Sequence, residues 1–431
     1  MEGPRLKIRP MSAFEVRGKT VIFRPDINSP IDPQTKRIVN TNRIEKTMPT
    51  LNWLLEQGAK VALIAHQGDT LDYQNLIPLA EHAEKLAGLS GKKVAYIDDV
   101  CGPAALAAVR ALREGEAVIL GNLRYLSEEI STFESAVKLK ASEMLDTWLV
   151  RSLGPLGQLY VNDAFAAAHR NAPSMVAFQE ILPTAGGIQL MEEYTALKSV
   201  MDNPKRPCVF VLGGAKISDA FDMMRKVLED GAADQILTAG VTGLVMLIAR
   251  GVDLGATTLG FLRDRGLDQF IPEAKSLLES WGAKYLLPLD LAYDEAGRRA
   301  EVGVPATGGG ACAVDRAFPD IGARTIARFR ESIAGAASIF VNGPAGMYED
   351  GRWEEGTKAL WRAIQDAKGY TVIGGGDTIS AASKFTDLSK FDYVCTGGGA
   401  MVRFLAGKRL PLIEAMEKAF DRDLREPVKR A

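Results

Sequence analysis

The chain has 431 residues, a length at which the hydrophobic core is normally divided between two domains. Its 52 Lys and Arg residues nearly balance its 54 Asp and Glu residues, so the net charge of −2 supplies no global field for nucleic acid or a membrane surface, and we expect neither as a partner. The scattered cysteines and the lack of an apolar N-terminal signal region argue against a disulfide framework or structural zinc and favour a cytoplasmic location.

Short apolar runs alternate with helix-length amphipathic segments along the chain. Most of these runs are continuous, which indicates strands buried on both faces of a parallel sheet. The sequence therefore predicts an α/β fold in which a doubly wound, Rossmann-like parallel-sheet domain occurs twice. The predicted strands are Thr20–Arg24, Lys60–Ala65, Lys93–Ile97, Ala117–Gly121, Leu159–Asp163, Cys208–Leu212, Gln235–Ala239, Lys284–Leu287, Ser338–Val341, Thr371–Ile373 and Phe391–Val394. The predicted helices include Leu76–Leu89, Phe133–Leu153, Met191–Met201, Phe221–Leu228 and Leu412–Phe420.

Two stretches interrupt this alternation. The first, Gly186–Pro207, contains paired glycines, a helix and an Asn-Pro dipeptide, and we place the domain boundary there. The second, Asp294–Pro319, is rich in Gly, Ala and Pro and contains the triplet Gly308–Gly310. Because this triplet does not lie between a clear strand and a helix, we predict a surface connection rather than a phosphate-binding loop.

Polar side chains follow the predicted strands of the first half, at the sheet edge where α/β proteins bind ligands. These residues are Arg24, Asp26 and Asn28 after the first strand, His66 after the second, Arg124 after the fourth and Arg170 after the fifth, with Arg43 just before a helix. Taken singly, each is typical of a solvated surface arginine or a capping residue. Together they predict a site for a small phosphorylated or carboxylated anion.

Glycine-rich turns mark the second half. Gly374-Gly375-Gly376-Asp377-Thr378 and Thr396-Gly397-Gly398-Gly399-Ala400 each connect an apolar run to a predicted helix. Such a turn lets backbone N–H groups approach phosphate oxygens, and the helix dipole favours the negative charge. Asp377 is placed where a carboxylate could hold Mg²⁺ beside those phosphates. These turns predict a nucleotide site, with an ordinary strand-to-helix connection as the alternative.

Two further segments extend the predicted nucleotide site. Gly213-Gly214-Ala215-Lys216 puts a lysine at a helix start, and Asn342–Gly346 leads to Glu349, a candidate ribose acceptor. The chain contains no Walker A sequence, and no G-x-G-x-x-G follows the first strand. The missing fingerprint counts against a dinucleotide-dependent dehydrogenase.

Taken in order, these segments resemble the phosphoglycerate kinase family over nearly the whole chain. Arg24–Pro30 is similar to the family's arginine–aspartate–asparagine–proline segment, and Val161–Arg170 is similar to its first-domain signature. Asp26–Pro30 and Ala65–Gly68 look like archaeal members. The segments that match the nucleotide half are Gly213–Lys216, Asn342–Glu349, Gly374–Thr378 and Thr396–Ala400.

The resemblance implies two domains joined by a hinge that closes over reversible phosphoryl transfer between ATP and the carboxylate of 3-phosphoglycerate. The implied division is an N-terminal glycerate-binding domain at 1–188, a C-terminal Mg-nucleotide domain at 189–410 and a tail at 411–431 that packs back on the first domain. A monomer or loose homodimer is the implied assembly.

Site residues carry over position by position. The glycerate would be held by Arg24, Asp26, Asn28, Arg43, His66, Arg124 and Arg170. The nucleotide would be held by Gly213, Lys216, Asn342, Glu349, Gly374, Gly375, Gly376, Asp377 and Thr378, with Asp377 also serving Mg²⁺. The implied catalytic groups are Arg43, Lys216, Gly375 and Gly398. Such catalysis would consist of positioning and electrostatics.

Four positions depart from the family pattern. Asp69 stands where the family has a substrate arginine, and Ala220 where it has the lysine that meets the transferred phosphoryl group. Gly121 and Arg403 each replace a glutamate. These departures leave two alternatives to an active phosphoglycerate kinase: a paralogue that phosphorylates another small carboxylate, or a weakly active or non-catalytic nucleotide-binding protein.

Overall fold

The computed structural model describes residues 6–68, 75–306 and 309–425. The strands are β1 Thr20–Arg24, β2 Lys60–Leu63, β3 Val94–Tyr96, β4 Ala117–Ile119, β5 Leu159–Asn162, β6 Thr184–Gly186, β7 Cys208–Leu212, β8 Gln235–Thr238, β9 Tyr285–Leu286, β10 Asp290–Glu295, β11 Arg298–Gly303, β12 Asp320–Ile321, β13 Ser338–Asn342, β14 Tyr370–Gly374 and β15 Tyr393–Cys395.

Helices connect most of these strands. They are α1 Asn42–Glu56, α2 Ala80–Ser90, α3 Pro103–Arg110, α4 Ser131–Val137, α5 Trp148–Leu153, α6 Pro173–Val176, α7 Phe178–Ile181, α8 Ile188–Met201, α9 Ile217–Glu229, α10 Gly240–Ala249, α11 Gly255–Asp264, α12 Ile271–Trp281, α13 Ala323–Gly335, α14 Glu355–Gln365, α15 Gly376–Phe385, α16 Gly398–Leu405 and α17 Pro411–Arg425. Among the described residues, no helix combines the length and the apolar character needed to cross a membrane.

Two six-stranded sheets organise the chain, and the strand pairs in both are parallel. The first has the order β3-β4-β2-β1-β5-β6, and the second has the order β15-β14-β13-β7-β8-β9. A separate three-stranded antiparallel sheet has the order β11-β10-β12. The predicted α/β class with two parallel-sheet domains is therefore confirmed.

The chain divides into two compact units. Of the described residues, the N-terminal unit comprises those up to Thr195 together with those from Arg409 to Arg425, and the C-terminal unit comprises those from Ala196 to Lys408. The division at Thr195 falls inside α8. In the N-terminal unit, α17 packs against α6, α7 and β6. The assignment of one substrate to each unit stays a prediction at this stage.

Both faces of each parallel sheet are covered, which explains the continuous apolar runs. In β1, Val21 and Phe23 are buried in a core that includes Ile44 and Leu51 of α1. Ile22 points to the opposite face, where it is also buried, close to Gly157. Because neither face of the strand meets water, the period-2 alternation of a half-exposed strand is absent.

Two sequence predictions were wrong. Asp294–Pro319 is not wholly irregular, because β10 and β11 form a hairpin around Ala296 and Gly297, both with positive φ. The prediction failed because β11 is polar and half-exposed, unlike the buried parallel strands. Of the glycine triplet, Gly308 lies outside the described residues. Phe133–Leu153 is not one helix either: α4 ends at Val137, where Lys138 adopts a left-handed conformation, and α5 begins at Trp148.

Asp163 fastens the start of α8 to the end of β5 in the N-terminal unit. Its Oδ1 accepts the Leu190 N–H at 2.8 Å, and Thr50, which hydrogen-bonds the same carboxyl group, accepts the Ile188 N–H at 2.9 Å. The side chain is buried, and this burial raises the pKa of Asp163 to about 6. The folded chain therefore holds a proton on this carboxyl at a pH where the unfolded chain has released it.

We predict that wild type and Asp163→Asn differ in the pH dependence of their stability. A folded pKa above the unfolded value of 3.8 contributes stability that is present at low pH and is lost as the pH rises through about 6. Relative to Asp163→Asn, wild type should gain about 1 kcal/mol of unfolding free energy between pH 7 and pH 5. Urea titrations of both proteins at pH 7, 6 and 5 would check this. If the unfolding free energies of the two proteins change equally between pH 7 and pH 5, the prediction is wrong.

Candidate active-site edges

The arginine-bearing edge lies at the carboxyl ends of β1, β2, β4 and β5. In the first sheet, β1 pairs with β2 on one side and with β5 on the other, so the strand order reverses direction at β1. Arg24, the last residue of β1, is in register with Asn162 of β5. A crevice forms at such a switch point because the connections on its two sides leave in opposite directions.

A ladder of side-chain amides fixes the loops at this edge. Asn122 accepts the Gln67 N–H and donates to the Gln67 carbonyl, and Gln67 makes the same pair of bonds with Ser29. The buried His82 Nε2 lies 3.0 Å from Gln67 Oε1. The segment His66–Gly68 is therefore held on both sides, and Asn28 Oδ1 accepts the Gly68 N–H.

Four arginines surround His66, and we name them the arginine cluster: Arg24, Arg43, Arg124 and Arg170. Arg24 is buried and donates from Nη2 to His66 Nδ1 at 2.9 Å. Burial of the imidazole is the main cause of a pKa well below the usual value for His66, and the positive charges of all four arginines add to it. His66 is consequently neutral, with its remaining proton on Nε2.

Two carboxylates pair directly with members of the cluster. Arg43 lies 2.8 Å from Asp26, and Arg170 Nε lies 2.7 Å from Glu134. The Nη2 atom of Arg170 is buried and has no hydrogen-bond partner among the described residues. A buried donor of this kind requires an acceptor, and an anionic ligand would supply one. The predicted residues of the first half are thus brought to one edge. This edge is electropositive, and the Arg170 Nη2 group there is a hydrogen-bond donor available to a ligand.

The second edge lies at the carboxyl ends of β7 and β13, where the order of the second sheet reverses. Gly213 and Gly343 approach each other so closely that an added Cβ on either would lie within about 2.3 Å of the other segment's backbone oxygen. The Gly213 N–H donates to the Asn342 carbonyl and the Gly214 N–H to the Pro344 carbonyl. Packing between the two loops therefore requires glycine here, whether or not a phosphate binds.

Helix α15 begins directly after β14, and α16 begins shortly after β15. These two strands follow β13 in the order of the second sheet. Gly375 has φ +103°, a conformation that other residues rarely adopt, and an added Cβ would meet the Asn342 amide at 2.7 Å. At Gly376 and Gly399, in contrast, an added Cβ would meet nothing within 4 Å in the part of the chain that the structure describes. Neither conformation nor packing demands glycine at those two positions, and the dipole at a helix N-terminus favours an anion.

The remaining predicted nucleotide residues divide into exposed and supporting groups. Lys216 and Asp377 are largely exposed and form an ion pair of 3.1 Å. Asn342 donates to the Gly374 carbonyl, and the buried Thr378 accepts the Gly343 N–H through its hydroxyl group. Asn342 and Thr378 therefore connect the three loops of this edge, and a direct role for either in binding nucleotide stays a prediction.

An apolar cavity of about 280 Å³ adjoins this edge within the C-terminal unit. Glu349 and Asp377 lie on its lining together with Gly214. Sequence reasoning missed its apolar walls, which include Val241, Leu244, Phe261, Phe318 and Met347. The apolar sequence of α10 is a signal that could have drawn attention to two of them. Phe318 comes from the stretch that we predicted to be only a surface connection.

The four departures occupy different environments. Ala220 is buried in α9, which packs against α16. Gly121 lies close to the Asp99–Val100 backbone, so that an added Cβ would lie 3.1 Å from it and would require a shift of a few tenths of an ångström. Arg403 is exposed on α16. Asp69 lies outside the described residues.

The two parallel sheets, one with arginines and the other with glycine-rich loops at its carboxyl edge, place the protein in the class of α/β proteins with two parallel-sheet units. The family model for phosphoglycerate kinase matches residues 11–408. The phosphoglycerate kinase of Methanothermobacter thermautotrophicus is 36% identical over 413 residues, covering 96% of this chain and 97% of the relative. That of Methanothermus fervidus is 37% identical over 415 residues, covering 96% and 98%.

A solved structure agrees with these relatives. The crystal structure of phosphoglycerate kinase from Pyrococcus horikoshii has a TM-score of 0.82 and 33% identity, covering 96% of this chain and 100% of that one. The chain belongs to the phosphoglycerate kinase family, and the resemblance to archaeal members is confirmed. It is thus a kinase, a phosphotransferase whose acceptor is a carboxyl group.

We predict that His66 and His82 stay neutral down to pH 5.5 in the folded protein. Burial is the largest cause of the lowered pKa in both, to about 4 for His82 and well below the ordinary value for His66. Their imidazole ¹⁵N shifts, assigned with His66→Asn and His82→Asn, should therefore stay constant between pH 8 and pH 5.5. A titration of either ring with a midpoint near pH 6.5 would contradict the prediction.

Proposed function

We propose that this chain catalyses reversible phosphoryl transfer between ATP and the carboxylate of 3-phosphoglycerate, interconverting these with 1,3-bisphosphoglycerate and ADP. This is a reaction of glycolysis and gluconeogenesis, so we also propose a cytoplasmic location and, from the family resemblance, a monomer or loose homodimer. The observation that carries the proposal is the arginine cluster around a neutral His66, with Arg170 Nη2 buried and unpartnered among the described residues.

In this proposal, the N-terminal edge binds the glycerate. Its phosphate and carboxylate groups would accept hydrogen bonds from Arg24, Arg124 and Arg170, with Arg170 Nη2 as a donor already in place. Because His66 is neutral, its Nε2–H can donate to the ligand without adding another buried charge. Asp26 and Asn28 would serve mainly through their contacts, since Asp26 pairs with Arg43 and Asn28 holds the Gly68 N–H.

The C-terminal edge would bind the nucleotide. Its apolar cavity suits a purine ring, and Glu349 on the lining would accept a hydrogen bond from the ribose. The loop that carries Gly213, together with Gly374 and the N-termini of α15 and α16, would face the phosphates.

Among the described residues, no group of three or more His, Cys, Asp or Glu side chains forms a metal cage. The exposed Asp377 carboxylate nevertheless fits Mg²⁺, which is usually held by one or two carboxylates together with substrate phosphates. When bound, Mg²⁺ would neutralise charge on the β- and γ-phosphates.

Catalysis would require no general base. A carboxylate oxygen of 3-phosphoglycerate attacks the γ-phosphorus of ATP, the bond from that phosphorus to the β–γ bridging oxygen breaks, and ADP leaves with the negative charge. Lys216, Arg43 and the backbone N–H groups at Gly375 and Gly398 would stabilise the charge on the transferred group. The ion pair between Lys216 and Asp377 places that lysine beside the proposed metal ligand.

One observation favours the second candidate, a slow or altered kinase. Ala220 is buried on α9, and its methyl side chain offers no charged group to a ligand. Loss of one preorganised charge donor typically reduces the rate by about 10²–10³-fold. A coupled assay of ATP consumption with and without 3-phosphoglycerate, on wild type and Ala220→Lys, separates the candidates. Robust wild-type turnover supports the proposal. Turnover only in Ala220→Lys indicates a kinase whose activity is lost because the lysine at this position is missing. The absence of turnover in both, despite ADP binding, refutes the proposal.

We predict that Asp377→Asn removes the Mg²⁺ dependence of ADP binding. The affinity for ADP with Mg²⁺ should fall at least about tenfold, because a proposed metal ligand is lost. The affinity for ADP in EDTA should be unchanged or higher, because a negative charge near the phosphates has gone. Isothermal titration calorimetry under both conditions measures this, with the exposed Asp366→Asn as control. Equal losses with and without Mg²⁺ would contradict the metal role.

We predict that Arg170→Ala raises the KM for 3-phosphoglycerate by about 10–100-fold, the effect of losing charge-assisted hydrogen bonds. The KM for ATP should change less than twofold. Arg151→Ala, which removes an exposed arginine, is the control. Steady-state kinetics with each substrate varied in turn would measure both constants, and an unchanged KM for 3-phosphoglycerate would remove Arg170 from the proposed site.

A further inference from the structure

We propose that Glu129 is a positioning residue that holds Arg24 and Arg124 of the arginine cluster in their ligand-binding orientations. No motif in the sequence singled it out, and the roles assigned above do not include it. The inference rests on the proposed function, because it takes these two arginines to be substrate ligands.

Glu129 is a buried carboxylate, and among the described residues both of its oxygens accept hydrogen bonds from one residue, Ser174. It lies just after the short turn that carries Arg124, and it is 2% exposed. One carboxylate oxygen accepts the Ser174 N–H and the other accepts the Ser174 hydroxyl, both at 2.6 Å. Burial raises the pKa of Glu129, whereas the Ser174 bonds and the charges of Arg24 and Arg124 oppose that rise.

The Ser174 hydroxyl connects Glu129 to Arg24 through two hydrogen bonds. While donating to Glu129, it accepts from Arg24 Nε at 3.4 Å. The serine cannot move to another position, since its carbonyl accepts from the buried Tyr160 hydroxyl, which in turn accepts from Asn162. Arg24 is therefore held at Nε by Ser174 and at Nη2 by His66, which fixes the plane of its guanidinium group.

The backbone of Glu129 holds the second arginine. Arg124 donates from Nη1 to the Glu129 carbonyl and from Nε to the Gly68 carbonyl. A change in the position of Glu129 would therefore reach Arg24 through Ser174 and Arg124 through the main chain. Arg43 and Arg170 are held differently, by their direct ion pairs with Asp26 and Glu134.

Physical chemistry explains why a buried carboxylate belongs here. Four positive charges at one edge repel one another, and burying Arg24 removes it from water, so the cluster needs negative charge nearby. A carboxylate exposed in the site would compete with the anionic ligand. Glu129 supplies its charge from beneath the edge, through Ser174, and leaves the ligand-facing donors available.

The test compares Glu129→Gln with Glu128→Gln. The control removes the neighbouring carboxylate, which accepts the Leu149 N–H at 2.8 Å. By isothermal titration calorimetry, Glu129→Gln should weaken 3-phosphoglycerate binding about tenfold or more, while MgADP affinity changes less than twofold. Glu128→Gln should leave both affinities unchanged. Ser174→Ala, which interrupts only the Arg24 branch, should give a smaller loss than Glu129→Gln, and it keeps the test available if Glu129→Gln does not fold.

The outcomes separate this inference from the proposed function. If wild type binds 3-phosphoglycerate and both Glu129→Gln and Ser174→Ala bind it equally well, the positioning role is wrong. Equal losses of 3-phosphoglycerate and MgADP affinity also overturn it, since they indicate a general structural defect. If wild type does not bind 3-phosphoglycerate, the proposed function fails, and crystal structures of the variants decide the inference. Unmoved Arg24 and Arg124 guanidinium groups would overturn it, and displaced ones would support it.

Discussion

Concentrating positive charge at the edge of a parallel sheet is the constraint on which the N-terminal unit depends. The positive charges of the arginine cluster repel one another, so each arginine must be held in place. Three carboxylates contribute to holding them. Asp26 and Glu134 pair directly with Arg43 and Arg170, and Glu129 acts through Ser174. Burial keeps His66 neutral by lowering its pKa, and the same positive charges add to this effect. Preorganised donors of this kind lose little freedom when an anion binds, which is how such a site gains affinity.

In the proposed function, the C-terminal unit has a different requirement, because its backbone donors would have to be available to the nucleotide phosphates. Its loops are fastened to one another: Gly213 packs on Gly343, Thr378 holds the Gly343 N–H and Asn342 holds the Gly374 carbonyl. With the loops fixed in this way, the starts of α15 and α16 carry glycines that neither packing nor conformation requires, at Gly376 and Gly399. The two units thus prepare for negative charge by different means, one with guanidinium groups and the other with helix ends.

Much of the fold could be predicted because parallel strands buried on both faces leave a strong local signal. All of the predicted strands have counterparts in the two parallel sheets, whereas the short β6 and the antiparallel sheet were missed. Strand β11 is polar and half-exposed, so its identity depends on pairing with β10 and not on its own composition. The break between α4 and α5 was also missed because it leaves no local signal. Lys138 adopts a left-handed conformation there, which is usually marked in a sequence by glycine.

The sequence by itself determined the family, the two-sheet architecture and the residues that line each carboxyl edge. These features follow from local order along the chain, because parallel strands bring their carboxyl ends to one edge whatever the details of packing. Only the tertiary structure decided which of those residues are exposed at the edge and which hold its loops in place. Burial of Glu129 beneath the arginines, Thr378 turned toward Gly343 and an apolar cavity walled partly by Phe318 all depend on contacts between segments far apart in sequence. Such contacts have no local pattern from which they could be read.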